Sequence, residues 1–170
     1  IAGPVERAKS LTQSLCDWSE TPERVSRFLE PLALFYERAP WTDEIVSGRL
    51  RVLSMVQSSS SPFLIVASAR ALMQRTLPLR QFRTSIQEVQ VGQVLDLERT
   101  LARWAGQGYE PVSVVEAPGQ FSHRGGILDI FPSVEPFPVR IELFGNQIDS
   151  LRCFDPATQR SQERVEVITV

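Results

Sequence analysis

The side chains best suited to catalysis are scarce in this sequence of 170 residues. His123 is the single histidine, so a serine or cysteine nucleophile that needs an imidazole base would have to use it. Its neighbour Ser122 is poorly placed for that role, because consecutive residues of a strand point to opposite faces. We therefore interpret His123 as a surface residue without a catalytic function.

The segment 3–10 nearly matches the phosphate-binding P-loop pattern GxxxxGK[ST]. Ala8 replaces the second glycine of the pattern, and Pro4 removes one of the backbone N–H groups that such a loop offers to phosphate. We therefore assign no nucleotide site to this segment and place Lys9 on the solvated face of a helix.

Metal ligands are equally sparse. One histidine and two distant cysteines, Cys16 and Cys153, fall short of the set that a structural zinc site needs. The same two cysteines form no disulfide framework, and a reducing compartment is the expected environment. The sequence therefore predicts no catalytic residue, no cofactor site and no metal site in this chain.

The segment 138–144 carries the most informative alternation. Its odd-numbered residues are aliphatic and belong to a core, whereas the opposite face of this strand carries Arg140, Glu142 and Phe144. Arg124 is followed by two glycines, which allow a tight turn and hold the arginine at the sheet edge. Charge beside an aromatic ring is typical of a recognition patch. A solvated strand face with a cross-strand ion pair accounts for the same residues, and from the residues alone it is slightly favoured.

Composition is that of a folded protein, with 42% hydrophobic and 22% charged residues. The net charge is −2, and all but one of the 18 basic residues are arginines. This balance argues against strong non-specific binding to DNA. The longest apolar run, 63–67, is far shorter than the ~20 residues that span a membrane, and no signal peptide is visible.

Periodicity and turn residues divide the chain into two predicted domains, 1–80 and 81–170. The first has the alternation of a doubly wound α/β sheet, with helices at 4–18, 42–57 and 69–75 and strands at 25–35 and 63–67. The second predicts a small α+β domain with an antiparallel sheet, with a helix at 96–105 and strands at 85–91, 112–115, 127–131, 139–144, 148–154 and 165–170.

An ordered set of segments in the second half resembles the transcription-repair coupling factor (Mfd) family, in the module that this family shares with the excision-repair protein UvrB. The segments are GQFSHRGGILDIFP at 119–132, VRIELFG at 139–145, IDSLR at 148–152 and TQRS at 158–161. The first half is similar to the helicase-like lobe of the same family, through DEI at 43–45, LIVAS at 64–68 and LMQR at 72–75.

The resemblance implies a degenerate helicase-like lobe without a P-loop, followed by an α+β domain that binds the damage-recognition ATPase UvrA. In this family the factor displaces RNA polymerase stalled at a lesion and then recruits UvrA. The ATP- and magnesium-dependent translocase, which acts on double-stranded DNA, and the contact with RNA polymerase would lie outside this chain. The resemblance further implies a cytoplasmic monomer without a membrane partner.

The resemblance also implies contact residues. The family's arginine at the start of the Arg-Gly motif falls on Arg124, and the arginine and acid of the following strand fall on Arg140 and Glu142. We expect the two arginines to form charge-assisted hydrogen bonds with acidic groups of UvrA. Phe121 and Phe144 are expected to pack beside them.

The alternative is the N-terminal part of a UvrB-type ATP-dependent helicase subunit that handles damaged DNA. That family carries a P-loop and a tyrosine-rich hairpin, whereas only a short segment with the lone Tyr36 separates Phe28 from Asp43 here. The acidic second domain also argues against a DNA-handling enzyme. An interaction module without catalysis is therefore the prediction.

Overall fold

The computed structural model describes residues 3–31, 41–58 and 61–170. The chain divides into two compact units, which we call unit 1 (Ile1–Leu77) and unit 2 (Pro78–Val170). The sequence placed this division after residue 80. No helix within the described ranges is long and apolar enough to cross a membrane.

Unit 1 combines helices with a short parallel sheet. Strands β1 and β2 pair in parallel from Val25–Leu64 to Phe28–Ala67. Residues 32–35 of the predicted strand 25–35 lie outside the described residues, as does Tyr36. The elements are α1 Val5–Trp18, a 3-10 turn Pro22–Arg24, β1 Val25–Phe28, α2 Asp43–Ser58, β2 Leu64–Ala67 and α3 Ala69–Met73.

A buried arginine joins the elements of unit 1. Arg49, on α2, is 3% exposed and donates hydrogen bonds to the carbonyl of Leu29 at 2.8 Å and of Ala71 at 3.2 Å. Its guanidinium also lies 3.9 Å from the ring centroid of Phe28. Burial lowers the pKa of this guanidinium from its ordinary value. Arg49 therefore links α2 to the end of β1 and to α3 through polar groups that have little access to water.

Unit 2 is built on a six-stranded sheet in the order β4-β5-β6-β7-β8-β9. Its neighbouring strands are antiparallel except for the short parallel pair β4–β5, and β3 and β10 form a separate antiparallel pair. The elements are α4 Leu79–Ser85, β3 Glu88–Gln90, α5 Leu97–Gly106, β4 Glu110–Pro111, β5 Gln120–Arg124, β6 Ile127–Ile130, β7 Val139–Phe144, β8 Gln147–Phe154, β9 Ser161–Val165 and β10 Val167–Thr169.

Several local predictions for unit 2 were wrong. Segment 112–115 is a loop rather than a strand. Its apolar residues Val112 and Val115 pack on Phe131 and Phe154, so they are buried without belonging to the sheet. Segment 165–170 is broken at Glu166 between β9 and β10, which belong to different sheets. The predicted strand 85–91 is shorter in the structure, because Ser85 ends α4 and only Glu88–Gln90 forms β3. Helix α4 and strands β4 and β5 were not predicted, since each is short and has little periodicity.

One face of the sheet forms the main core of unit 2, together with α5. Trp104 of α5 is fully buried and meets Phe121 of β5 edge to face, with ring centroids 5.9 Å apart. The Asp96 side chain caps α5 by accepting a hydrogen bond from the backbone N–H of Arg99 at 3.1 Å. The aliphatic positions of β7 lie in the same core, as their alternation predicted. The opposite face of the sheet, which we call the second face, is therefore free to carry polar side chains.

Candidate protein-interaction face

Cross-strand register assembles two rows of side chains on the second face. Residues directly opposite one another in adjacent strands point to the same side of a sheet. The first row runs across β5 to β9 and consists of Ser122, Asp129, Arg140, Arg152 and Arg164. The second row runs beside it across β5 to β8 and consists of Arg124, Ile127, Glu142 and Ser150.

Asp129 is the electrostatic centre of this face. The residue is 2% exposed, and its two carboxylate oxygens accept hydrogen bonds from Arg140 Nε at 2.8 Å and Arg140 Nη2 at 2.9 Å. These hydrogen bonds raise the pKa of the Arg140 guanidinium. The same guanidinium lies 5.0 Å from the ring centroid of Phe154. Arg140 is thus held inside the domain by a bidentate pair and an aromatic ring.

This arrangement changes the role expected for Arg140. The sequence placed Arg140 against acidic groups of UvrA, or on a solvated strand face with a cross-strand ion pair. The structure shows a cross-strand ion pair with Asp129 of β6, and the Arg140 side chain is only 17% exposed rather than solvated. Glu142 accepts a hydrogen bond from the Ser150 hydroxyl. The sequence held one indication of this pairing: Asp129 is an acidic residue among the apolar residues of β6, and a buried carboxylate requires a partner.

Arg124 is more exposed than Arg140 and makes a looser ion pair with the same carboxylate. Its Nη2 lies 3.7 Å from Asp129 Oδ2, and its side chain is 61% exposed. The distance is too long for a hydrogen bond, so the carboxylate attracts the guanidinium without occupying its donors. Arg124 is therefore oriented by Asp129 and remains able to bind an external carboxylate.

The two phenylalanines named by the sequence lie in opposite environments. Phe144 is 83% exposed and follows Arg140 and Glu142 on the second face. Phe121 is 6% exposed and belongs to the core beside Trp104. The expected packing of Phe121 against a partner is corrected accordingly, because β5 turns this ring toward α5. Phe121 supports the strand that carries Arg124.

Part of the second face is closed by the chain itself. Val115 of the loop 112–117 packs with Phe131 and Phe154, and it accepts a hydrogen bond on its carbonyl from Gln159 Nε2 at 3.0 Å. The uncovered part includes two apolar side chains, Phe144 and the 40% exposed Ile127. We call this uncovered part the open patch and define it as Arg124, Ile127, Glu142 and Phe144.

The geometry of the second face suits recognition better than catalysis. His123 lies on the other side of β5, and its Nε2 is 2.7 Å from the Gly125 carbonyl within the hairpin turn. Among the described residues, no group of three or more metal-ligating side chains comes together. An exposed guanidinium with a buried counter-ion, on the same sheet face as an exposed aromatic ring, is an arrangement that protein interfaces use.

Comparisons with known proteins place unit 2 in a protein-interaction domain family and find relatives of the chain in bacteria. Residues 88–170 match the family model of the UvrB interaction domain. The chain is 36% identical over 134 residues to the transcription-repair-coupling factor of Bacillus subtilis (strain 168), covering 79% of this chain and 11% of the relative. It is also 36% identical over 127 residues to the factor of Staphylococcus aureus (strain USA300), covering 75% of this chain and 11% of that protein. The chain therefore spans only a small part of the length of the curated relatives that it matches.

Proposed function

This chain belongs to the transcription-repair-coupling factor family, and we propose that it is the module of such a factor that recruits UvrA to lesions where RNA polymerase has stalled. The observation that carries the proposal is the open patch, which lies on a domain matching the UvrB interaction domain. An exposed arginine and an exposed phenylalanine on one face of the same sheet are a suitable pair of anchors for a partner protein.

The residues of the second face have different roles in the proposed binding of UvrA. Arg124 donates charge-assisted hydrogen bonds to an acidic group of UvrA, and Phe144 and Ile127 bury their side chains beside it. Arg140 is a positioning residue, because it fixes the carboxylate of Asp129 that orients Arg124. Glu142 is available to accept hydrogen bonds from UvrA on the lone pairs that Ser150 leaves free.

In this proposal the chain acts without catalysis and without a cofactor. Unit 1 is a helicase-like lobe that has lost its nucleotide site, as the departures from the P-loop pattern at Pro4 and Ala8 suggest. ATP and magnesium, double-stranded DNA and RNA polymerase are bound by other parts of the whole factor. The factor works as a cytoplasmic monomer and has no membrane partner.

Calorimetric titration of the chain with purified UvrA tests the proposal. We expect saturable binding, and we expect Arg124→Ala to weaken it at least about tenfold, because losing one member of a desolvated charge pair costs about 2–5 kcal/mol. The matched control is Arg99→Ala, which removes an exposed arginine from α5 on the other side of the sheet. Unchanged affinity of Arg124→Ala would remove that residue from the site, and no binding by the folded wild-type chain would overturn the proposed function.

A further inference from the structure

Three arginines stand directly opposite one another in consecutive strands of unit 2. Arg140 on β7 faces Arg152 on β8, and Arg152 faces Arg164 on β9. Like charges in directly opposite positions of a sheet destabilise it. Asp129 offers a counter-ion at one end of this row, but both of its oxygens are engaged by Arg140. The row therefore carries positive charge that its own domain does not compensate.

Arg152 and Arg164, which we call the arginine pair, have no ion-pair partner within the part of the chain that the structure describes. Arg152 is half-buried and Arg164 is exposed. Glu163 adjoins Arg164 in sequence but points to the other face of β9 by strand alternation. Unit 2 contains 12 acidic and nine basic residues, so a shortage of carboxylates does not explain the arrangement. A local conflict of this kind is expected where a surface serves binding.

The arginine pair lies on the same face as the open patch and is linked to it through Arg140 and Asp129. Arg152 lies opposite Arg140, whose partner Asp129 also orients Arg124. We propose that the UvrA-docking face extends across β8 and β9, where the arginine pair meets an acidic strip on the surface of UvrA. This inference rests on the proposed function and adds two residues and the chemistry of the surface that UvrA presents.

The chemistry of the arginine pair favours a carboxylate surface over nucleic acid. Guanidinium groups bind carboxylates through two parallel hydrogen bonds. A phosphate backbone would also approach the acidic side chains of the same unit, including Glu142 in the open patch. A protein surface avoids most of this repulsion, because its carboxylates can lie opposite the arginines and need not approach the acidic side chains of unit 2.

Arg164→Glu separates a binding role from a structural one. In the free protein this substitution replaces a repulsive cross-strand pair with an attractive one, so we expect the melting temperature to stay the same or rise. In the complex it places a carboxylate against the acidic strip, so we expect weaker binding to UvrA. A residue with only a structural role would not change stability and affinity in opposite directions.

Association kinetics with immobilised UvrA at several salt concentrations provide the test. Because Arg164 is exposed, we expect Arg164→Glu to slow association about tenfold at low salt and to change dissociation little. The difference from the wild type should shrink as salt screens the charges. Arg152→Gln should slow association in the same direction. Arg99→Glu is the control, because it changes net charge equally on α5 and should leave association near the wild-type rate.

The outcomes distinguish this inference from the proposed function. If Arg164→Glu and Arg152→Gln associate like the wild type while Arg124→Ala binds weakly, the extension is overturned and the UvrA-recruiting function stands. If the wild-type chain does not bind UvrA, both are overturned. If duplex DNA binds the chain and Arg164→Glu abolishes only that binding, the arginine pair belongs to a nucleic-acid site instead.

Discussion

At the scale of single residues, Asp129 interacts with two arginines in different ways. It holds Arg140 through a bidentate pair at 2.8 and 2.9 Å, and it attracts Arg124 across 3.7 Å without occupying its donors. The partly buried Arg140 balances the charge of the carboxylate, whereas the exposed Arg124 remains available to a partner. Substitutions at these two positions should therefore lower affinity for UvrA by different routes.

Arg140→Ala is expected to destabilise unit 2 by about 3–5 kcal/mol, because it leaves the carboxylate of Asp129 buried without its partner. Arg124→Ala is expected to cost less than about 1 kcal/mol, since its ion pair is long and exposed. Urea denaturation followed by near-ultraviolet circular dichroism measures both changes. Equal losses of stability in the two variants would contradict this division of roles.

At the scale of elements, the hairpin between β5 and β6 places Arg124 on the second face. Arg124 pairs with Ile127 across the two-residue turn formed by Gly125 and Gly126. Gly125 has φ +59°, a conformation that favours glycine, and the Gly126 carbonyl accepts a hydrogen bond from the Leu143 N–H at 2.8 Å. The glycine pair thus fixes the hairpin and also brings it against β7.

Gly126→Ala is expected to destabilise unit 2 by about 1–3 kcal/mol, because the added Cβ would lie 3.0 Å from the Leu143 backbone oxygen. We also expect weaker UvrA binding, since the shift moves Arg124 relative to Phe144. Gly106→Ala is the matched control, because its Cβ would enter open space at the end of α5. Thermal unfolding and calorimetry measure the two effects, and a Gly126→Ala variant as stable as the control would contradict the steric argument.

At the scale of the whole molecule, the two units have separate cores and separate polar centres. Unit 1 depends on Arg49 with its two carbonyl acceptors, and unit 2 depends on Asp129 with Arg140. The open patch and the arginine pair both belong to unit 2. A substitution that destabilises only unit 1 should therefore leave the open patch and the arginine pair intact.

Arg49→Met is expected to destabilise unit 1 by about 3 kcal/mol, because one buried and one partly buried carbonyl lose a charged donor while the apolar stem is retained. Affinity of the chain for UvrA should remain that of the wild type. Differential scanning calorimetry should show a lower melting temperature for unit 1 and an unchanged one for unit 2. Titration with UvrA should give the affinity of the wild-type chain. A loss of affinity in this variant would show that unit 1 contributes to binding.

The sequence by itself determined the features that depend on neighbouring residues. Strand alternation assigned Arg140, Glu142 and Phe144 to one face of β7, and the glycine pair located the turn after Arg124. The mixed α/β character and the antiparallel sheet of the second half also followed from local patterns. Such features could be predicted because φ and ψ preferences and the two-residue period of a strand act over a few residues.

Tertiary structure alone decided how separate segments meet. The pairing of Arg140 with Asp129, the burial of Phe121 under α5 and the loop 112–117 over Phe154 all depend on register and packing between distant segments. The row from Asp129 to Arg164 likewise exists only because four strands align in one register. Local propensity carries no information about such pairings, since they are set by which apolar faces can be buried together.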